Sequence, residues 1–297
     1  VKKQEPVRFQ KEQRVRVGLT TQGNSVQFIS FDDDYAIFNG EEKVGILPRK
    51  KIGILVDKGA NYTFAGNGHT FATKSFIRLA PINNPHAVFT ITKGLKDRRI
   101  AWVGPSAFTK YRGAFEYRRG QRDGKMYIVN DLLMEDYVSG IAENGLHTPI
   151  EAVKANIVAA RTYAFISKNK YPFFDVLGST YDQLYLGVEV ETHLPKSAQA
   201  AKATRGQMVT YNNEVVTTPY FGNSSGTTRS WKTVWGGTHK PWLVPVKAKY
   251  DAGRRRFGHG VGMSQRDAAL RAKKDNWDWK QLLAHYYTNT ITKKMYQ

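Results

Sequence analysis

The chain has 297 residues, with 45 Lys or Arg against 25 Asp or Glu, a formal charge of +20. It contains no cysteine, which excludes disulfides, thiolate catalysis and cysteine-ligated zinc. At 41% hydrophobic, with 16 Tyr, 15 Phe and 6 Trp, it can bury a core, yet no stretch reaches the roughly 18 consecutive apolar residues of a membrane span.

In chain order, residues 14 to about 118 are predicted as strands. Arg14-Val-Arg-Val-Gly-Leu alternates, and Val26-Gln-Phe-Ile-Ser-Phe, Tyr35-Ala-Ile-Phe, Ile52-Gly-Ile-Leu-Val and Thr70-Phe-Ala-Thr follow. Turn residues such as Asn39-Gly40 and Gly66-Asn67-Gly68 separate them. Ala87-Val-Phe-Thr-Ile-Thr and residues 111–118 continue the pattern after a break at Pro81 and Pro85. From about residue 131 the period changes. Residues 133–143 are predicted helical, and 149–168 more strongly so: Pro149 stands near the start and Glu151 in the first turn. Ile150, Val153, Ile157, Ala160 and Ala164 draw an apolar stripe on that helix, and Arg161 sits on or beside it. A guanidinium there must be paired, for instance with Glu135 or Asp136, or face a cavity. Short strands are expected at 206–211 and 214–220, then a polar loop from Phe221 to Thr228, and helices at 265–274 and 279–287. Grouped rather than alternating elements make this an α+β chain. The expected division is a β-rich part over 1–109 and a mixed helical and strand core over 110–297 with a substrate groove; one continuous domain from about residue 14 is the alternative.

The run Gly258-His259-Gly260-Val261-Gly262-Met263-Ser264-Gln265 is the most informative stretch. Three glycines in five residues free the backbone for close approach to a ligand. Ser264 is the expected N-cap of a helix starting at Gln265. Glu143, before the turn pair Asn144-Gly145, could project a carboxylate into a groove, and His259 and the Asn223-Ser224-Ser225-Gly226 loop are further polar candidates. No Gly-x-Ser-x-Gly elbow marks a serine nucleophile, no His-Glu-x-x-His motif is present, and no metal site or cofactor is expected. The positive field favours a polyanionic partner. Zinc-finger spacing, an aromatic RNA-binding signature and a phosphate-binding loop are missing, so nucleic acid is not the expected partner. Val1 opens a polar, lysine-containing stretch. For an exported protein, whose surroundings would suit the lack of cysteine, the targeting segment lies outside this numbering.

The motifs, in order, resemble the stage II sporulation protein D (SpoIID) family of bacterial peptidoglycan lytic transglycosylases. The matching pieces are Val17-Gly-Leu, Tyr111-Arg-Gly-Ala-Phe-Glu, Leu133-Met-Glu-Asp-Tyr-Val-Ser-Gly and Glu151-Ala-Val-Lys-Ala-Asn-Ile-Val-Ala-Ala-Arg-Thr-Tyr-Ala. Ser179-Thr-Tyr-Asp-Gln-Leu-Tyr-Leu-Gly, the glycine string and His285-Tyr-Tyr complete them. The resemblance implies a catalytic acid at Glu143 that cleaves the bond between MurNAc and GlcNAc and leaves a 1,6-anhydro sugar. It implies substrate contacts from Arg161, with Tyr163, Tyr181 and Asp182 near the developing positive charge. Gln183, Ser224, Ser225, His259 and Gln265 would bond sugar hydroxyls and N-acetyl groups. The implied partners are peptidoglycan glycan strands lacking stem peptides and, in an alternative reading as a non-catalytic glycan binder, a peptidoglycan amidase. The expected location is outside the cytoplasm. Where the family usually has Met-Pro after this Glu, the chain has Asn144-Gly145. A hydrolase variant would need a second carboxylate, such as Asp182 or Asp136.

Overall fold

The computed structural model describes residues 11–96, 100, 102–103, 106–121 and 123–297. The first ten residues of the expected N-terminal part lie outside the described residues. The strands β1 (Arg14–Thr20), β2 (Ser25–Ser30), β3 (Tyr35–Asn39), β4 (Glu42–Leu47), β5 (Ile52–Asp57) and β6 (Tyr62–Gly66) come first. They are followed by β7 (His69–Thr73), β8 (Ile77–Pro81), β9 (Val88–Lys93), β10 (Lys110–Arg112), β11 (Ala114–Arg119) and β12 (Met126–Leu133). Next are α1 (Met134–Ser139), α2 (Ile150–Ile166), β13 (Val176–Leu177), α3 (Val190–His193), α4 (Lys196–Ala203), β14 (Gln207–Tyr211) and β15 (Glu214–Val215). The chain closes with β16 (Tyr220–Phe221), α5 (Trp231–Trp235), β17 (Met263–Ser264), α6 (Gln265–Lys274), α7 (Trp279–Tyr286) and β18 (Ile291–Lys294). This is the α+β class: β-rich N-terminal sheets followed by a mixed helix and strand region.

The chain divides into two units. The strand-rich unit comprises the described residues of Gln13–Glu143 and Lys168–His193; the helical unit comprises Asn144–Ser167, Leu194–Gln297, Lys11 and Glu12. In the strand-rich unit, one sheet runs β13-β1-β12-β11-β8-β3-β4 and the other β10-β9-β2-β5-β6-β7. Alternation buries Val26, Phe28 and Ser30 of β2. Phe28 and Phe89 of one sheet meet Tyr35 and Phe115 of the other, with ring centroids 4.8 to 6.3 Å apart, and form the aromatic core. The expected single strand over 111–118 is two strands in different sheets. Gly113 breaks it: its φ is +85°, and a Cβ there would stand 2.5 Å from the Asp131 carbonyl oxygen. Because β11 pairs with β8 and β12 with β1, sheet hydrogen bonds cross the boundary expected at residue 110.

β12 is buried along nearly all its length and carries two polar residues. Asp131 accepts from Arg14 and Arg78, each at 2.7 Å, and Arg78 also reaches Glu116 at 2.6 Å. Asn130 donates to the carbonyls of Arg112 and Ala114 and accepts from the Tyr185 hydroxyl. Partners of this kind are what make buried polar groups tolerable in a sheet.

The helical unit is organised around α2. The predicted stripe is buried except for Ile150, which is half-buried at the start of the helix, and Ala155, Asn156, Val158 and Ala159 on the other faces are buried too. A helix apolar on all sides belongs inside a core. α2 packs against α4, α6, α7 and β14. Ala152, Ala155, Val158 and Ala159 share a core with Val209, Leu243, Val261, Met263, Leu282, Leu283 and Tyr286. Ser264 caps α6 by accepting from the Asp267 N–H. α7 starts with a capping box of Asp278 and Gln281. β16 and β17 pair in parallel, joining Phe221 to Ser264.

Candidate functional site

The helix expected to run through Glu143 stops earlier. α1 ends at Ser139, with Gly140 as its C-cap. Beyond it the chain runs beside a second segment of the same unit. Ile141 bridges Tyr185, the Ala142 N–H donates to the Leu184 carbonyl at 2.8 Å, and the Leu186 N–H donates to the Gly140 carbonyl at 2.9 Å. Glu143 therefore lies on an extended stretch four residues beyond the helix. It is half-buried, and its Oε1 accepts the Leu184 N–H at 2.8 Å. The Trp102 indole N–H donates to the carbonyl of Ala142, the preceding residue, at 3.0 Å, while 53% of Trp102 is exposed. The carboxyl is thus held by a backbone amide, next in the chain to a carbonyl that an exposed indole holds.

The segment that grips Glu143 is itself anchored. Gln183 is buried, and its Oε1 accepts from the Tyr137 hydroxyl of α1 at 2.7 Å. Asp182 accepts from the Tyr171 hydroxyl and the Leu177 N–H, both at 2.8 Å, and pairs with Lys170. These two side chains, expected near the developing positive charge (Asp182) and at sugar hydroxyls (Gln183), hold the loop that carries Leu184. Tyr181 differs: it is 81% exposed. Asp136 is also engaged, with His86 at 2.7 Å and Arg112 at 3.8 Å.

In the helical unit, Arg161 is fully buried. Its guanidinium donates to Thr204 Oγ1 at 3.4 Å and to the carbonyls of Gln207 and Ala201, both at 3.3 Å. It ties α2 to the end of α4 and the start of β14. The low dielectric of the interior makes these carbonyl partners necessary. Tyr163, two residues on, is half-buried. Ser224 is buried too. Its N–H donates to Asp251 Oδ2 at 2.7 Å, and its Oγ accepts from the Gly226 N–H at 3.0 Å. The same Asp251 oxygen accepts from Ser264 Oγ at 2.6 Å, and Arg266 reaches the other at 3.1 Å. Asp251 is thus a buried hub that fixes the Ser224 loop against the start of α6. Sequence reasoning missed it because a single Asp in a loop carries no pattern.

Around this hub the unit gathers the remaining polar candidates. Asn223 bridges Phe257, and the Arg266 N–H donates to the Gly222 carbonyl at 3.0 Å. Ser225 is exposed, and Gln265 and His259 are half-buried. His259 Nδ1 accepts the Val261 N–H at 3.0 Å, which leaves the ring proton on Nε2. Burial pushes its imidazole below the ordinary value, and a backbone hydrogen bond with Tyr220 only partly offsets this. Its ring lies 5.5 Å from Phe221 and 4.9 Å from Trp235. Gly262 closes the string under a strict demand: φ is +76°, and a Cβ would come 2.0 Å from the Pro219 carbonyl oxygen. Trp235 was not among the expected site residues, though Trp231 and Trp235 at an i, i+4 spacing share one helix face and could have signalled it.

Residues 122–211 match the family model described as SpoIID, Stage II sporulation protein. That stretch holds Glu143, Arg161, Tyr163, Tyr181, Asp182 and Gln183. The chain is 37% identical over 155 residues to an uncharacterized protein of Brachyspira hyodysenteriae, covering 50% of this chain and 38% of that one. It is 29% identical over 140 residues to stage II sporulation protein D of Bacillus subtilis, covering 41% and 40%. It is 30% identical over 102 residues to the amidase enhancer of the same organism, covering 34% and 13%. Residues 122–211 are thus similar to the SpoIID family. The chain's match spans about two-fifths of the length of the first two of these relatives. Among the described residues, no helix is long and apolar enough to cross a membrane.

Proposed function

We propose that the chain is a peptidoglycan lytic transglycosylase with Glu143 as its acid and base. The observation that carries this reading is the grip of the Leu184 N–H on Glu143 Oε1, within the stretch that matches the family. The protonated carboxyl donates to the oxygen linking MurNAc to GlcNAc as that bond breaks. The resulting carboxylate takes the proton of the MurNAc C6 hydroxyl, whose oxygen attacks C1 and closes the 1,6-anhydro ring. The nucleophile belongs to the same sugar, so no water need be activated, and proximity supplies much of the rate. One carboxyl suffices. A hydrolase needs two, and Asp136 and Asp182 are held in ion pairs with Arg112 and Lys170. A formal charge of +20 suits strands that carry lactyl carboxylates once their stem peptides are removed, and a site of action outside the cytoplasm.

A second reading is a glycan binder that modifies an amidase. The similarity to the amidase enhancer favours it, as does Asn144-Gly145 in place of Met-Pro. Asn144 is not loose, however: its Nδ2 donates to Asn156 Oδ1 on α2 at 2.7 Å. Digestion of denuded glycan, read by mass spectrometry, decides between the readings. Anhydro-ended products from the wild type and none from Glu143→Gln are expected. Reducing ends alone would remove the transglycosylase, undiminished cleavage by the variant would remove Glu143, and binding without cleavage would leave the second reading.

A further inference from the structure

A cationic aromatic platform stands on the helical unit, made by residues outside those assigned above to proton transfer. Trp235 is 46% exposed, and its ring is tilted 52° to that of His259. Phe257 is 74% exposed and lies against Gly222, where a Cβ would come 2.6 Å from its ring. Across the glycine string lie two arginine stems. A Cβ on Gly260 would meet Arg256 Cδ at 3.0 Å and Arg229 Cδ at 3.1 Å. Backbone bonds hold both in place: the Arg229 N–H donates to the Gly260 carbonyl at 2.7 Å, and Arg256 Nε donates to the Gly258 carbonyl at 3.2 Å.

These cations differ from most other arginines among the described residues. Arg14, Arg16, Arg78, Arg112, Arg119, Arg266 and Arg271 each pair with a carboxylate. Among the described residues, no carboxylate lies within ion-pair distance of Arg229, Arg254, Arg255 or Arg256. Unpaired charge clustered beside exposed rings costs stability through self-repulsion, so it calls for an anionic ligand. A planar guanidinium fits a carboxylate in a bidentate fork, and an indole face packs against the C–H face of a pyranose.

We infer that Trp235, His259, Arg229 and Arg256 form a subsite for a carboxylate-bearing amino sugar, which selects MurNAc units whose lactyl group is free. The inference rests on the glycan reading above. A stem peptide joined to that lactyl group turns the carboxylate into a neutral amide, and the fork would lose its partner. Selectivity for denuded strands is thereby built into binding, not into proton transfer.

Binding is measured by calorimetry and indole fluorescence in the Glu143→Gln protein, which leaves ligands intact. The probes are a GlcNAc–MurNAc oligosaccharide, its methyl ester, a chitooligosaccharide of equal length and a single-stranded oligonucleotide. The free acid should bind about tenfold more tightly than its ester at low salt. Arg229→Gln with Arg256→Gln should erase that preference and spare chitooligosaccharide binding, while Trp235→Ala should weaken all the sugar ligands alike. Equal affinity for acid and ester overturns the inference without altering the protein, so misfolding of a variant cannot rescue it. A preference that survives in the double arginine variant overturns it too, as does oligonucleotide binding as tight as the free acid. A wild type that fails to cleave yet keeps the acid preference removes the catalytic reading alone.

Discussion

Glu143 Oε1 and the Leu184 N–H, 2.8 Å apart, join two stretches separated by 41 residues of chain. The bond sets where the carboxyl points before any ligand arrives. Glu143→Gln keeps an oxygen that can accept from Leu184 but removes the transferable proton. Cleavage of denuded glycan should fall roughly 10²- to 10⁴-fold, the usual worth of a positioned acid or base. The thermal midpoint should stay put. An equally large drop in midpoint would assign the loss to folding.

Tyr137 acts through Gln183. Its hydroxyl bond to Gln183 Oε1 is buried and anchors the residue beside Leu184. Tyr137→Phe keeps the ring and removes the bond, which costs about 1 kcal/mol or somewhat more where an acceptor is left unpaired. With the grip on Glu143 loosened, kcat should fall several-fold with KM little changed. A rise in KM at constant kcat would mean that Tyr137 serves binding instead.

Arg161 yields a prediction of the opposite kind. Arg161→Met matches its stem but strands three acceptors, Thr204 Oγ1 and the Ala201 and Gln207 carbonyls. The loss should be about 2–4 kcal/mol of stability. Protein that remains folded should bind glycan as the wild type does. A normal urea midpoint with weakened glycan binding would restore the ligand-facing role.

The parts that the sequence made legible are those with a period or a cap. α2 was visible over its length, and Ser264 was recognised as a cap because a hydroxyl precedes a helical run. Glu143 was singled out through family order, and its geometry was not legible. The helical period runs on past Gly140, so nothing local marks the turn into an extended stretch. β12 went unseen because burial on both faces removes alternation and Asn130-Asp131 interrupts its apolar run. That Arg161, Ser224 and Asp182 bond the protein's own groups was not legible, for one reason. A polar side chain looks the same in sequence whether it faces a ligand or satisfies the protein's own backbone. Trp102 and Asp251 matter through partners distant in sequence, at Ala142 and at Ser224, which no spacing rule encodes.

Two histidines of the helical unit give stability a pH dependence whose sign follows from their placement. Burial is the main cause that holds His259 below the ordinary imidazole value, opposed by the Tyr220 backbone. Burial also lowers His285; Arg271 adds to the shift, while the Lys247 carbonyl and Asp267 oppose it. The unfolded chain therefore binds protons first, from about pH 6.5 downward. Stability is fully present above that value, falls as pH drops toward the two folded-state values, and levels off below them. Protonating His259 Nδ1 would also cost the acceptor used by the Val261 N–H. His259→Asn, which offers a carbonyl oxygen to that N–H, should remove part of the slope and leave the His285 share. A separate loss belongs to more acidic solution: burial opposes the charge on Asp131, but Arg14 and Arg78 outweigh it and hold the carboxyl below the usual range. Urea midpoints between pH 7.5 and 5, taken for the wild type and the Asn variant, test the assignment. A flat profile, or an unaltered slope in the variant, would show that His259 does not carry the effect.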